Sequence, residues 1–198
     1  LLSRLLSHVR YERDFNNLPI PFVCIATDVE TGNQVILNSG NLTQNILASG
    51  ALPTLYSPVE INGRILIDGG VANNYPIDEV RAMGADIIIG VDVQDGLKTR
   101  NELKGAADVL MQITNFSMYG EMNDKINRTT YYIKPDIKGF SVVSFDQGAE
   151  IVKRGENAAL EYKNEFQALG KLNSVKDASK ITIVQNDSLH ISKIKINQ

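Results

Sequence analysis

The chain has 198 residues, 43% hydrophobic and 22% charged, with a net charge of −3 and a pI of 5.4. That is the composition of a folded globular protein, long enough for one α/β domain and a small appendage. It carries no basic run that would suit nucleic acid, and its apolar runs fall far short of the ~20 residues that span a bilayer. A single cysteine, Cys24, excludes an internal disulfide and a cysteine-based metal site.

Leu1 rather than Met stands first, and Leu2, Leu5, Leu6 and Val9 recur at helical spacing through Leu1–Arg13. The segment is too short and too weakly organised for a secretory signal, so the chain is expected to begin inside a longer protein. Pro19 and Pro21 lead into a strand, Phe22–Ala26, which ends in Thr27-Asp28. Glu30-Thr31-Gly32-Asn33 is a hairpin turn, and Val35-Ile36-Leu37 returns from it. Ser39-Gly40-Asn41 can cap a short helix, Leu42–Ser49, with Leu42, Ile46 and Leu47 near one face. Tyr56–Glu60, a turn at Asn62-Gly63 and the strand Arg64–Ile67 run into Asp68-Gly69-Gly70. Pro76 suits the first turn of a helix ending at Met83-Gly84.

Asp86–Val93 is apolar enough for a strand buried on both faces of a parallel sheet. A longer helix follows, its stripe traced by Leu103, Ala106, Leu110, Ile113 and Phe116 or Ser117, and then a strand, Thr129–Ile133. Asp146 is expected to cap a last large helix with Ile151, Val152, Ala159, Tyr162 and Phe166 on its stripe, closed by Gly170. This alternation predicts an α/β layer fold over residues 1–172. Residues 173–198 read as a polar linker, Asn173–Lys180, and two strands, Ile181–Val184 and Leu189–Ile196. Two strands alone do not make a stable unit, so the tail is expected to open a further β-rich module.

Asp68 stands where an open α/β sheet places its working groups, at the carboxyl end of a strand. Gly69 and Gly70 are expected to supply positive φ and to keep bulk from its carboxylate. A carboxylate there can orient or deprotonate a nucleophile or bind a metal, whereas Asp-Gly-Gly alone is also a common turn. Asp28 and Asp92 stand at or near strand ends as well. With Asp68 they would suit a Mg²⁺ site for phosphoryl transfer; the plainer reading is that each bonds neighbouring backbone. His8 and His190 lack ligand spacing and read as surface histidines. Asn73 and Asn74 read as turn residues or as shapers of the Asp68 loop.

The motifs around Asp68 arrive in a specific order. Leu18-Pro19-Ile20-Pro21-Phe22 and Ala26-Thr27-Asp28-Val29-Glu30-Thr31-Gly32 come first. Ala48-Ser49-Gly50-Ala51-Leu52-Pro53 and Tyr56-Ser57-Pro58-Val59 follow. Next are Arg64-Ile65-Leu66-Ile67-Asp68-Gly69-Gly70-Val71-Ala72-Asn73-Asn74-Tyr75-Pro76 and Gly84-Ala85-Asp86-Ile87-Ile88-Ile89-Gly90-Val91-Asp92-Val93. From about Asp14 to Leu169 this resembles the second half of the patatin-like phospholipase family.

The resemblance implies a sheet sandwiched by helices and hydrolysis of lipid acyl esters by a serine–aspartate dyad without histidine. The serine sits in a Gly-x-Ser-x-Gly elbow after a glycine-rich oxyanion loop, and the aspartate in Asp-Gly-Gly or Asp-Gly-Ala. Asp68 would be the dyad's base. The implied partners are a lipid or acyl-ester substrate, a membrane surface, and the chain's own N-terminal half or an oligomer partner. No cofactor is implied, Ca²⁺ included.

The 198 residues contain no Gly-x-Ser-x-Gly, and Ser49, with Leu47 and Ala51 in place of the elbow glycines, reads as packing. The elbow and oxyanion loop are expected upstream of Leu1, and the chain alone is expected to be inactive. A non-catalytic interaction domain of the same fold is the main rival. The tail resembles the opening of a POTRA module, as in relatives that continue into an outer-membrane β-barrel. That would place the parent in a Gram-negative envelope; otherwise the tail is a hairpin that packs back.

Overall fold

The computed structural model describes residues 1–53, 55–94, 96–141 and 144–173. The chain divides into two compact units, Leu1–Lys163 and Asn164–Gln198. The expected tail strands, His190 and the POTRA reading lie outside the described residues.

The first unit is mixed α/β. Its four-stranded sheet is antiparallel, in the order β2 (Gln34–Leu37), β1 (Cys24–Asp28), β4 (Arg64–Asp68), β3 (Val59–Ile61). Two hairpins build it. The β1–β2 turn uses Gly32 at positive φ. The β3–β4 turn is Asn62-Gly63, both at positive φ, which is why this dipeptide matches the right-handed twist of the strands it joins. With a partner on each edge, β1 buries four of its five residues. Ala26, Leu37, Ala48 and Leu66 form the core over this sheet, with Cys24, Val35, Val59 and Ile61 around them.

Helix α1 is only Leu2–Leu5, followed by a 3-10 turn, Ser7–Val9, that leaves His8 exposed. Helix α2, Leu42–Ser49, has the expected bounds, and Asn41 Oδ1 accepts from the Gln44 N–H at 3.1 Å as its cap. Its buried face is Leu42, Asn45 and Ala48 rather than Leu42, Ile46 and Leu47. Asn45 goes inward because its amide donates to the Ser39 carbonyl at 2.7 Å, while Leu47 faces outward.

A second core joins α3 (Ile77–Ala82), β5 (Ile89–Val91), α4 (Ala106–Asn127) and β6 (Tyr131–Ile133). It is built on Tyr75, Ile77, Ile88 and Met122. β5 and β6 pair in parallel, with α4 as the crossover between them. The expectation that this apolar strand is buried on both faces is corrected. Ile88 is buried, but Ile89 and Val91 are each 50% exposed, and Ile87 and Val93 are exposed as well. β6 is the only strand that pairs with β5 among the described residues, which accounts for the open face. The α4 stripe is corrected too: Leu103 precedes the helix, and Leu110, Ile113 and Phe116 are about half-exposed, while Met122 and Ile126 reach the core.

Asp146 is not a cap. It lies inside a 3-10 turn, Phe145–Gln147, that comes before α5 (Gly148–Ala159). A further turn leads to α6, Lys163–Asn173, which continues through Gly170, the residue expected to end it. Among the described residues no helix is long and apolar enough to cross a membrane.

Candidate functional site

Asp68 ends β4 and starts a 3-10 turn, Gly69–Val71. It is half-buried, and its Oδ1 accepts from the Gly70 N–H at 2.6 Å. Burial pushes its carboxyl above the ordinary value, and the Gly70 N–H partly opposes that. Among the described residues no donor reaches Oδ2, so one carboxylate oxygen orients the group and the other is open.

The two glycines work by close approach. Neither has positive φ, which corrects the expectation from sequence. A Cβ on Gly69 would lie 2.1 Å from the Ile25 carbonyl oxygen on β1. One on Gly70 would lie 2.7 Å from Asn74 Oδ1 and 2.9 Å from Asp68 Oδ1. Bulk at the second position would therefore strike backbone, and at the third only side-chain ends.

Of the groups that hold this turn, Asn73 is among those the sequence singles out, while Thr27 and Lys125 are not. Thr27 on β1 is buried, and its hydroxyl donates to the Asp68 carbonyl at 2.8 Å while accepting from the Ala72 N–H at 3.2 Å. Asn73 takes part in a polar chain. Its amide donates to Gln34 Oε1 at 2.8 Å and to both carboxylate oxygens of buried Glu79 at 3.3 Å, and its Oδ1 accepts from Lys125 Nζ at 2.9 Å. Lys125 comes from α4, so the turn is tied to both cores. Asn73→Ala leaves the Glu79 carboxylate without that donor, and thermal denaturation should show a loss of about 1–3 kcal/mol. An unchanged melting temperature would mean that the chain carries no stability.

The other aspartates do not join Asp68. Asp28 Oδ1 accepts from the Glu30 N–H at 2.9 Å, and Asp92 Oδ1 from the Gln94 N–H at 2.9 Å. The Asp92 Oδ2 is taken by Tyr132 Oη at 2.6 Å and Lys134 Nζ at 3.0 Å. Each side chain bonds the N–H two residues on, the local habit of aspartate in turns. Among the described residues no three His, Cys, Asp or Glu side chains group as a metal site would require. Ser49 lies in the last turn of α2 beside the Cys24 thiol, which burial pushes up to about 11, a packing arrangement rather than a nucleophile elbow. The cavity beside the Asp68 turn, lined by Ala72, Asn73, Asn74, Gln94 and Lys125 among others, measures about 30 Å³, room for a water and not for an acyl chain.

Asp68 thus stands in a glycine turn at the end of an antiparallel strand. The family model for Patatin-like phospholipase matches residues 1–81. The matched segment takes in Asp68 and the motifs before it, and there the chain is similar to that family. An uncharacterized NTE family protein of Mycobacterium tuberculosis is 38% identical over 76 residues, 38% of this chain and 21% of that protein. Patatin-like phospholipase domain-containing protein 7 of Mus musculus is 32% identical over 109 residues, 53% of this chain and 8% of that protein. Lysophospholipase NTE1 of Yarrowia lipolytica is 25% identical over 195 residues, 82% of this chain and 14% of that protein. The chain thus spans a small part of the curated relatives it matches.

Proposed function

We propose that this chain is the base-bearing part of a serine–aspartate lipid acyl hydrolase, with Asp68 as the base. The observation that carries the reading is the Asp68 carboxylate itself: one oxygen pinned by Gly70, the other open, at the carboxyl end of a strand. The nucleophilic serine and the oxyanion donors stand on a segment upstream of Leu1. In the reaction Asp68 Oδ2 takes the serine proton as Oγ attacks the acyl carbonyl. The proton then passes to the leaving alkoxide, and water hydrolyses the acyl-enzyme.

Two features of the fold support an upstream partner segment. The exposed apolar run Ile87, Ile89, Val91 and Val93 lies along a strand with one described neighbour. The half-exposed stripe Val109, Leu110, Ile113 and Phe116 lines α4. Surfaces of this kind associate when left open. The substrate class is a carboxylic ester of a lipid, a reading that the name lysophospholipase borne by two of the relatives supports.

The test compares the 198-residue chain with the product of its full open reading frame. Mass spectrometry first establishes whether the longer product carries Gly-x-Ser-x-Gly. Both are then assayed on lysophosphatidylcholine and on p-nitrophenyl butyrate. Hydrolysis by the long form alone, blocked by a fluorophosphonate that labels the upstream serine, is the expected result. A full open reading frame with no such serine and no esterase activity would favour the interaction-domain reading.

A further inference from the structure

We infer that Thr27 is a positioning residue for Asp68, acting through its hydroxyl; this rests on the reading of Asp68 as the base. The register sets Ala26 opposite Asp68 and Thr27 opposite Ile67, so Thr27 lies beside the point where β4 becomes the glycine turn. Its hydroxyl is buried and used in both directions. It donates to the carbonyl of Asp68, the first residue of the turn, and accepts from the N–H of Ala72, the residue that closes it. A hydroxyl is among the few side-chain groups that can donate and accept from one atom. One oxygen atom therefore spans the whole turn from a central strand.

The turn's own bonds do not do this. Ala72 and Asn73 N–H groups both go to the Gly69 carbonyl, at 3.1 and 2.8 Å, which closes the turn on itself but does not fix it to the sheet at Asp68. The Gly70 N–H orients the Asp68 carboxylate relative to the turn, not relative to the sheet. The Asp68 N–H bonds the Ala51 carbonyl at 3.0 Å, off the sheet, whereas Thr27 ties the Asp68 carbonyl to β1 itself, and a displacement of about 1 Å in a reacting group costs on the order of 10²-fold in rate. Valine has nearly the shape of threonine without the hydroxyl, and it would leave the Asp68 carbonyl and the Ala72 N–H without this partner. Serine keeps the hydroxyl and loses only a methyl group.

The experiment uses the full open-reading-frame product with p-nitrophenyl butyrate as probe. It measures kcat, KM and the pH profile for the wild type, Thr27→Val, Thr27→Ser and Asp68→Asn, with the melting temperature of each. The expected result is a kcat for Thr27→Val lower by about tenfold to a hundredfold at nearly unchanged KM, and a Thr27→Ser within about threefold of wild type. A Thr27→Val at wild-type kcat beside an inactive Asp68→Asn overturns the role of Thr27 and leaves Asp68 standing. An equal loss in Thr27→Val and Thr27→Ser also overturns it, because the methyl group and not the hydroxyl would then matter. If Thr27→Val does not fold, Thr27→Ser decides, and a tenfold loss there is negative. An active Asp68→Asn removes the base, and the inference falls with it.

Discussion

Replacing Asp68 by Asn in the full open-reading-frame product is expected to lower ester hydrolysis by about 10³-fold to 10⁴-fold, with the protein still folded. Asparagine keeps the geometry, because its carbonyl oxygen can still accept from the Gly70 N–H, but it cannot take a proton. The same burial that suits the carboxylate to this task sets the pH dependence. The carboxyl is pushed above its ordinary value by desolvation, so the acidic limb of kcat/KM should lie above that of a free aspartate. The stability effect has the opposite sense to the usual buried ion pair. A raised value in the folded state means that the folded chain binds this proton more tightly than the unfolded chain. The resulting contribution to stability is full below the unfolded value and is lost as pH rises through the folded one. At neutral pH the charged Asp68 is therefore a liability to the fold, and Asp68→Asn should melt no lower than wild type. A variant that loses activity because it melts earlier would contradict this account; the melting curve and the rate are to be taken on the same sample.

The sequence carried the local geometry of the site well and its supports poorly, and the reason is physical. Asn62-Gly63 and Gly32 are legible because positive φ leaves few residue types to choose from. The bounds of α2 follow from a capping asparagine and a terminal glycine. The place of Asp68 at a strand's end follows from an apolar run stopped by two glycines. The reason for those glycines is not legible there, because a sequence pattern suggests positive φ, whereas the nearness of Ile25 on another strand leaves no mark in it. Thr27 could be valued only once β1 was known to pair with β4. Lys125 reaches Asn73 across 52 residues of chain, and nothing local marks it. From its composition the apolar strand around β5 reads as buried on both faces. Burial, though, depends on neighbours, and the described chain supplies one strand where two were assumed. Asp146 failed as a cap because a 3-10 turn takes up the residues on which the helix was to begin.

Gly69→Ala should be the most damaging single change for the fold around the site. The added Cβ would stand 2.1 Å from the Ile25 carbonyl oxygen and 2.5 Å from its carbon. Both atoms are backbone in the central strand, hydrogen-bonded between β2 and β4, so neither can rotate away as a side chain would. Overpacking usually costs about 1–3 kcal/mol, and a clash of the turn with the backbone of a paired strand belongs at or above the top of that range. In a unit of this size that is a fall of about 6–12 °C in the melting temperature. Gly70→Ala provides the control. Its nearest atoms are the side-chain oxygens of Asn74 and Asp68, which can turn aside. It should melt within about 3 °C of wild type, on the order of 1 kcal/mol, yet disturb the carboxylate and lower kcat. The two variants thus separate the jobs of adjacent glycines: Gly69 lets the turn sit against β1, and Gly70 leaves room for the Asp68 carboxylate. Thermal denaturation of both, with kcat from the same preparations, checks the assignment. A Gly69→Ala that melts no lower than Gly70→Ala would show that β1 yields at Ile25 and that the close approach is not what holds the turn.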